Sequence, residues 1–354
     1  MSKQLPRDRL DLRAGDWVIV RSREEILATL DARGRLDELP FQPEMFAFCG
    51  RRLQVSKVAH KTCDTIHKTG GRRMWDTVHL EDVRCDGSAH GGCQADCLLF
   101  WKTAWLRSAD DGASARSPAA GSGRGAEDVV QRNVRASADV RDPVWVCQAT
   151  MLFVASEPLA WWDLRQYVED VTTGNHSAWH MVKLLVASGY RNLVHLGVGY
   201  RFLVAVYNRF QRLRGGLPFP VSDGPIDMGQ PTPQGTLGLK PGDWVEVKSA
   251  DEIRSTLNHQ GFNRGMRFDV EMLAFCGGRF RVQQRVERII NEQTGRMLPM
   301  KNPCIQLEGV YCRAECSEKR LGCPRAIKSY WREIWLRRVD EGQSRTGSGA
   351  DRHL

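Results

Sequence analysis

The sequence predicts an α+β fold: two small β-rich modules with short helices, joined by a central helical segment. Three observations carry this. A run of residues near the start recurs near the end at a fixed offset, apolar residues inside each copy alternate with period two, and between the copies the apolar spacing turns helical. The first copy opens Gly15-Asp-Trp-Val-Ile-Val-Arg-Ser22 and the second opens Gly242-Asp-Trp-Val-Glu-Val-Lys-Ser249, 227 residues later. The same offset carries Glu44-Met45 onto Glu271-Met272 and Ala47-Phe-Cys-Gly50 onto Ala274-Phe-Cys-Gly277. The copies slip by two residues around Thr69-Gly70 and Thr294-Gly295, then return to register at Cys85 and Cys312. Both close on a tryptophan pair, Trp101/Trp105 and Trp331/Trp335. Two copies are too few for a solenoid, so each is expected to bury its own core.

Taken in order, Asp16–Val20 reads as a strand, and Ser22-Arg-Glu-Glu25 is a capping box that opens a short helix from Glu24 to Leu30. Arg52-Leu-Gln-Val55 and Arg279-Phe-Arg-Val-Gln283 alternate again. Thr294-Gly295 marks a hairpin turn, and Val78-His-Leu80 and Cys304-Ile-Gln-Leu307 supply returning strands. Several short strands with one helix in about ninety residues point to a small, partly open barrel. The Gly-Asp-Trp-Val-x-Val opening resembles the first strand of SH3-like barrels. The resemblance covers the start of each copy and implies that residues 11–107 and 241–340 are SH3-like β-barrel modules. The two-copy, cysteine-rich pattern is also similar to one in uncharacterised bacterial proteins, which implies no activity. Between the modules, 108–142 is rich in Ala, Gly and Ser and reads as a flexible linker. Residues 143–215 form the central helical segment, 216–240 a Pro/Gly-rich linker, and 341–354 a polar tail.

At 354 residues the chain has room for two or three domains, and its net charge of +9 admits an anionic partner. Met1–Leu10 is charged with no apolar core, so no secretory leader is expected. The longest apolar stretch, Trp179–Phe210, is broken by Lys183, Arg191, Asn192, His195, Arg201 and Arg209. It is expected to pack between the two barrels, and a membrane surface is disfavoured. A cytoplasmic location follows, where the eleven cysteines serve better as metal ligands or reactive thiols than as disulfides.

Copy one carries Cys49, Cys85, Cys93 and Cys97; copy two carries Cys276, Cys312, Cys316 and Cys323. Four thiolates saturate a tetrahedral zinc ion, so each copy is expected to close one structural zinc site. The competing reading is buried thiols that behave as small hydrophobes. His90 offers a replacement for one of the cysteines. Cys304 has no counterpart in the first copy, and a packing role suits it; Cys147, in Trp145-Val-Cys-Gln148 of the central segment, is open to the same readings.

The copies differ in their histidines. His60, His67, His79 and His90 lie in copy one, whereas Val286–Cys323 has none. Cys63 with His60 and Asp64 offers a nucleophile, a base and an orienter, and His60, His67 and His79 offer an open metal site. Against both, no familiar enzyme signature accompanies them, and period two puts His60 and Cys63 on opposite faces. Arginines at 51, 52, 72, 73, 279, 281, 285, 288, 337 and 338 alternate with apolar residues, which would suit a phosphate-binding face. The functional expectation is a zinc-stabilised binding or scaffold protein with a protein or small-molecule partner. The alternatives are an enzyme with its site in the first module, and a nucleic-acid-binding protein.

Overall fold

A computed structural model describes residues 10–109, 123–137, 139, 141–197, 199–214, 216, 219–317 and 319–339. Helices combine with several antiparallel sheets, which is the expected α+β class. Strand β1 (Trp17–Val20) leads into α1 (Arg23–Leu27), the short ribbon β2 (Arg35–Leu36) and β3 (Leu39–Pro40), and a 3-10 turn at Pro43–Phe48. Then come β4 (Arg52–Val58), β5 (Lys61–Cys63), β6 (Gly71–Arg73), β7 (Thr77–Leu80), β8 (Trp101–Lys102), a 3-10 turn at Thr103–Trp105, and β9 (Leu106–Ser108). The main sheet runs β8-β7-β4-β1-β9. Val18 faces Leu53 and Val20 faces Leu106, and both valines are fully buried, as alternation requires.

Helix α1 is capped as the sequence predicts: the Ser22 amide donates to Glu25 Oε2 at 2.8 Å, and the Glu25 amide returns to Ser22 Oγ. It ends at Leu27, short of Leu30, because the Thr29 and Leu30 amides bond to carbonyls three residues back and tighten the last turn.

The next elements are α2 (Gly123–Arg132), α3 (Gln148–Met151), β10 (Glu157–Leu159), α4 (Arg165–Thr172), α5 (Ala178–His195) and α6 (Tyr200–Arg214). The flexible-linker reading of 108–142 needs correction. Residues 110–122 lie outside the described residues, but α2 is a helix with Val130 buried in the first core and Glu127 paired to Arg23 at 2.8 Å. The boundary at 143 also moves, since β10 adds to the first module by pairing with β6, Pro158 opposite Arg72.

In the second copy, β11 (Trp244–Val247), α7 (Ala250–Arg254), β12 (Phe262–Asn263), β13 (Met266–Arg267), β14 (Arg279–Ile290), β15 (Met297–Tyr311), β16 (Lys328–Trp331) and β17 (Leu336–Arg338) follow. The sheet order is β16-β15-β14-β11-β17, the order of the first sheet. Each order has two ends, and no closed barrel occurs among the described residues. The cores also correspond. Phe41 meets Trp105 edge-on at 5.1 Å and Phe268 meets Trp335 at 5.4 Å. Each tryptophan indole donates to a threonine hydroxyl, Trp105 to Thr29 at 3.1 Å and Trp335 to Thr256 at 3.0 Å. The stretch 216–240 has no regular element, yet Leu239 enters the second core and the Leu237 and Gly238 amides donate to Glu333. The tail 341–354 lies outside the described residues.

The chain divides into two compact units. The first runs to Met181 and takes in Arg288–Pro299 and Gly322–Arg325; the second holds Val182–Glu287, Met300–Leu321 and the residues from Ala326. Among the described residues no helix is long and apolar enough to cross a membrane.

Candidate metal centre

The site is built on the loop from Cys85 to Cys97. The Cys85 amide donates to the Cys97 carbonyl at 2.8 Å, and Arg84 bridges Leu98, so the loop is closed at its neck. Within it the His90 and Gly92 amides both donate to the Gly87 carbonyl. Gly87 has φ +71, and a Cβ there would lie 2.0 Å from the Cys93 carbonyl oxygen, so only glycine allows the chain to fold back so tightly. Cys85, His90, Cys93 and Cys97 converge as a result. Cys147, at the start of α3, joins them, and the five line a cavity of about 30 Å³ together with Glu292 and Arg325. That volume holds about one ion or one water.

Glu44 adjoins Cys85 and His90. Its Oε1 accepts from the Cys85 thiol at 2.9 Å and from Gln42 Nε2 at 2.6 Å, and lies 3.3 Å from His90 Nδ1. His90 Nε2 sits 3.2 Å from the Val146 carbonyl, which can only accept, so this nitrogen carries the proton. In the neutral ring Nδ1 then turns a lone pair toward a carboxylate. Neither Nδ1 nor Glu44 Oε2 has a hydrogen-bond partner, and His90 is buried. Two electron-rich groups facing each other in a dry site call for a cation between them, either a proton or a metal ion. Glu44, Cys85 and His90 form the one group of three such donors, all within 4.8 Å of one another, among the described residues.

Burial and nearby donors act on the thiols in opposite directions. Burial pushes Cys147 up to about 11 and drives Cys85 and Cys97 upward too, so with no cation present they hold their protons at neutral pH. Backbone amides oppose this: Gly87 is directed at the Cys85 sulfur, and Ile290 donates to Cys93 Sγ at 3.3 Å. Arg325, buried beside Cys97 and paired with Glu292 at 2.8 Å, also favours thiolate.

The structure regroups the predicted ligands. Cys85, Cys93 and Cys97 share the cavity, but Cys49 does not line it; its charged neighbours are Arg23, Glu24 and Glu127. Cys147, not a predicted ligand, lines it instead, and Glu44, also not predicted, touches two of the lining residues, Cys85 and His90. In the second copy Cys276, Cys312 and Cys316 belong to the second unit and Cys323 to the first, and they form no such donor group. None of the eleven cysteines is in a disulfide. The trio Cys63, His60 and Asp64 is not assembled either. Asp64 is occupied within its own turn, accepting from the Ile66, His67 and Thr69 amides. His60 donates instead to Asp170 of α4 at 2.8 Å, and the Cys63 carbonyl faces Arg325. His67 packs on Phe153, and His79 is buried with Nδ1 donating to the Leu99 carbonyl at 2.9 Å, so these histidines share no site.

Many of the strand arginines are engaged: Arg279 with Glu246, Arg285 with Glu333, Arg337 with Glu252 and Arg338 with Asp243, while Arg52 and Arg281 stack on Trp17 and Trp244. The chain matches no known family, and neither the curated proteins nor the solved structures contain a significant match to it.

His79 gives a pH prediction. Burial lowers it from 6.5 to about 4, and its Nε2 has no partner. The unfolded chain therefore binds the proton first, so stability is intact above pH 6.5 and falls as the pH drops toward 4, by up to about 3 kcal/mol. Urea midpoints followed across that range should decline, and the His79→Phe variant should show a flatter profile.

Proposed function

We propose that the chain is a zinc-stabilised scaffold whose metal sits in the first copy, held by Glu44, Cys85 and His90 with a fourth donor from Cys93, Cys97 or Cys147. The supporting observation is the unpaired His90 Nδ1 turned toward Glu44 and Cys85 at the edge of an ion-sized cavity. A mixed sulfur, nitrogen and carboxylate set suits zinc. A cavity of about 30 Å³ admits an ion and no substrate, which favours a structural over a catalytic metal. The SH3-like reading is supported by the five-strand order of each sheet and the 3-10 turn before the last strand. Such modules serve here to present loops to a protein or small-molecule partner in the cytoplasm.

The second copy handles the corresponding carboxylate differently. Glu271 accepts from the Glu315, Cys316 and Ser317 amides at 3.1, 2.7 and 2.7 Å and from Ser317 Oγ at 2.9 Å. Backbone donors stand where the first copy would place a cation, so one zinc per chain is expected in place of the two that the cysteine count suggests. Metal analysis of the purified chain checks this. A stoichiometry near one that survives Cys276→Ser and Cys312→Ser fits the reading, and near two, or none, contradicts it.

A catalytic alternative has one observation in its favour. His60 is oriented by Asp170, its Nδ1 has no hydrogen-bond partner, and it lines a cavity of about 370 Å³ with Arg73, Trp75, Asp76 and Glu169. Turnover lost in His60→Gln with the metal retained would place chemistry there.

A further inference from the structure

In the second unit, the C-terminal part of α5 and α6 pack through their inner faces. Tyr190 stacks on Tyr207 at 5.6 Å and donates to the Leu203 carbonyl, while Leu184 and Val194 are buried. Their outer faces are apolar. On α6, Phe202, Val206, Phe210 and Leu213 recur at spacings of four, four and three and are 71, 47, 53 and 80 % exposed. On α5, Val182, Val186 and Leu193, with Leu196 just past its end, form a second stripe, 48 to 74 % exposed. Both stripes follow helical geometry, which separates them from scattered surface residues.

Charge identifies what covers them. Residues 182–214 contain Lys183, Arg191, Arg201, Arg209, Arg212 and Arg214 and no Asp or Glu. Lys183, Arg201, Arg209 and Arg212 are exposed, and at 100° per residue Arg209 and Arg212 border one edge of the α6 stripe. A second copy of the chain would bring like charges together along the contact. An apolar stripe bordered by cations fits acyl chains and acidic headgroups at the surface of a bilayer.

We propose that α5 and α6 form a docking surface for a membrane rich in anionic lipid, lying in the interface without crossing it. The apolar stripes enter the boundary of the acyl region, and Lys183, Arg201, Arg209 and Arg212 meet the phosphate layer. This is independent of the metal centre.

The test is flotation of the full chain with vesicles of phosphatidylcholine alone, and of phosphatidylcholine with about one third phosphatidylserine. Binding should be at least about tenfold stronger to the anionic vesicles and should weaken as salt is raised. Phe202→Glu with Leu213→Glu should reduce it about tenfold or more, and Arg209→Glu with Arg212→Glu should remove the preference for anionic lipid. All four residues are exposed, so circular dichroism should be unchanged. Equal binding to both vesicles, or binding untouched by the Phe202/Leu213 pair, would overturn the proposal. So would a dimer in solution that the Phe202/Leu213 variant converts to monomer, because the stripe would then be covered by a second copy.

Discussion

Asp170→Ala is expected to destabilise the folded chain by about 3–5 kcal/mol, because it removes a buried carboxylate that pairs with two buried donors at once. Asp170 is fully buried on α4. One oxygen accepts from His60 Nε2 at 2.8 Å and the other from Lys61 Nζ at 2.5 Å, and both partners are buried as well. Burial alone would raise this carboxyl, but the His60 hydrogen bond and the Lys61 charge outweigh it and hold it below the usual carboxylate range. Its contribution is therefore present above the unfolded pKa and is lost as the pH falls through the folded one. Removing the carboxylate takes the opposing charge from the buried Lys61 ammonium, which is costly in a dry interior. Urea denaturation at neutral pH measures the loss. The half-buried Asp163, paired to the exposed Arg165 at the start of α4, serves as the control, and Asp163→Ala should move the midpoint far less.

The repeated elements were legible in the sequence because local rules produce them. The Ser22 and Ser249 capping boxes, the strands after Gly-Asp, and the buried tryptophan pairs all follow from neighbouring residues. The site was legible only in part. His90 could be read as a substitute zinc ligand from its place among Cys85, Cys93 and Cys97. Cys49 was misplaced because its 36-residue gap to Cys85 recurs between Cys276 and Cys312, and an equal gap in a duplicated chain reflects common descent as readily as a shared ligand role. Cys147 lies outside the repeat, and Glu44 matches Glu271, so neither showed in a comparison of cysteines. Asp170 is 110 residues from His60 and on another element, and pairings of that kind leave no local pattern.

On the proposed zinc site, stripping the metal should produce the second large effect. An ion that binds only the folded chain stabilises it by about 4 kcal/mol at a thousand times its dissociation constant. Chelation should thus lower the unfolding midpoint by a comparable amount, and Gly87→Ala should mimic it, since the loop cannot close around a Cβ set 2.0 Å from the Cys93 carbonyl. The buried thiols must release protons before they bind, so metal affinity should rise with pH. Refilling with zinc should restore the midpoint of the wild-type chain and leave Gly87→Ala unchanged.

The proposed metal lies between Glu44, Cys85 and His90. Replacing the metal with cobalt(II) tests this most directly, because a tetrahedral cobalt ion bound to thiolate absorbs in the visible and carries a sulfur charge-transfer band. One equivalent should bring up both features in the wild-type chain. Cys85→Ser should abolish the charge-transfer band or shift it markedly, His90→Ala should weaken binding, and Cys49→Ser should change neither. A cobalt spectrum indifferent to Cys85 and His90 but lost with Cys49 would contradict the account.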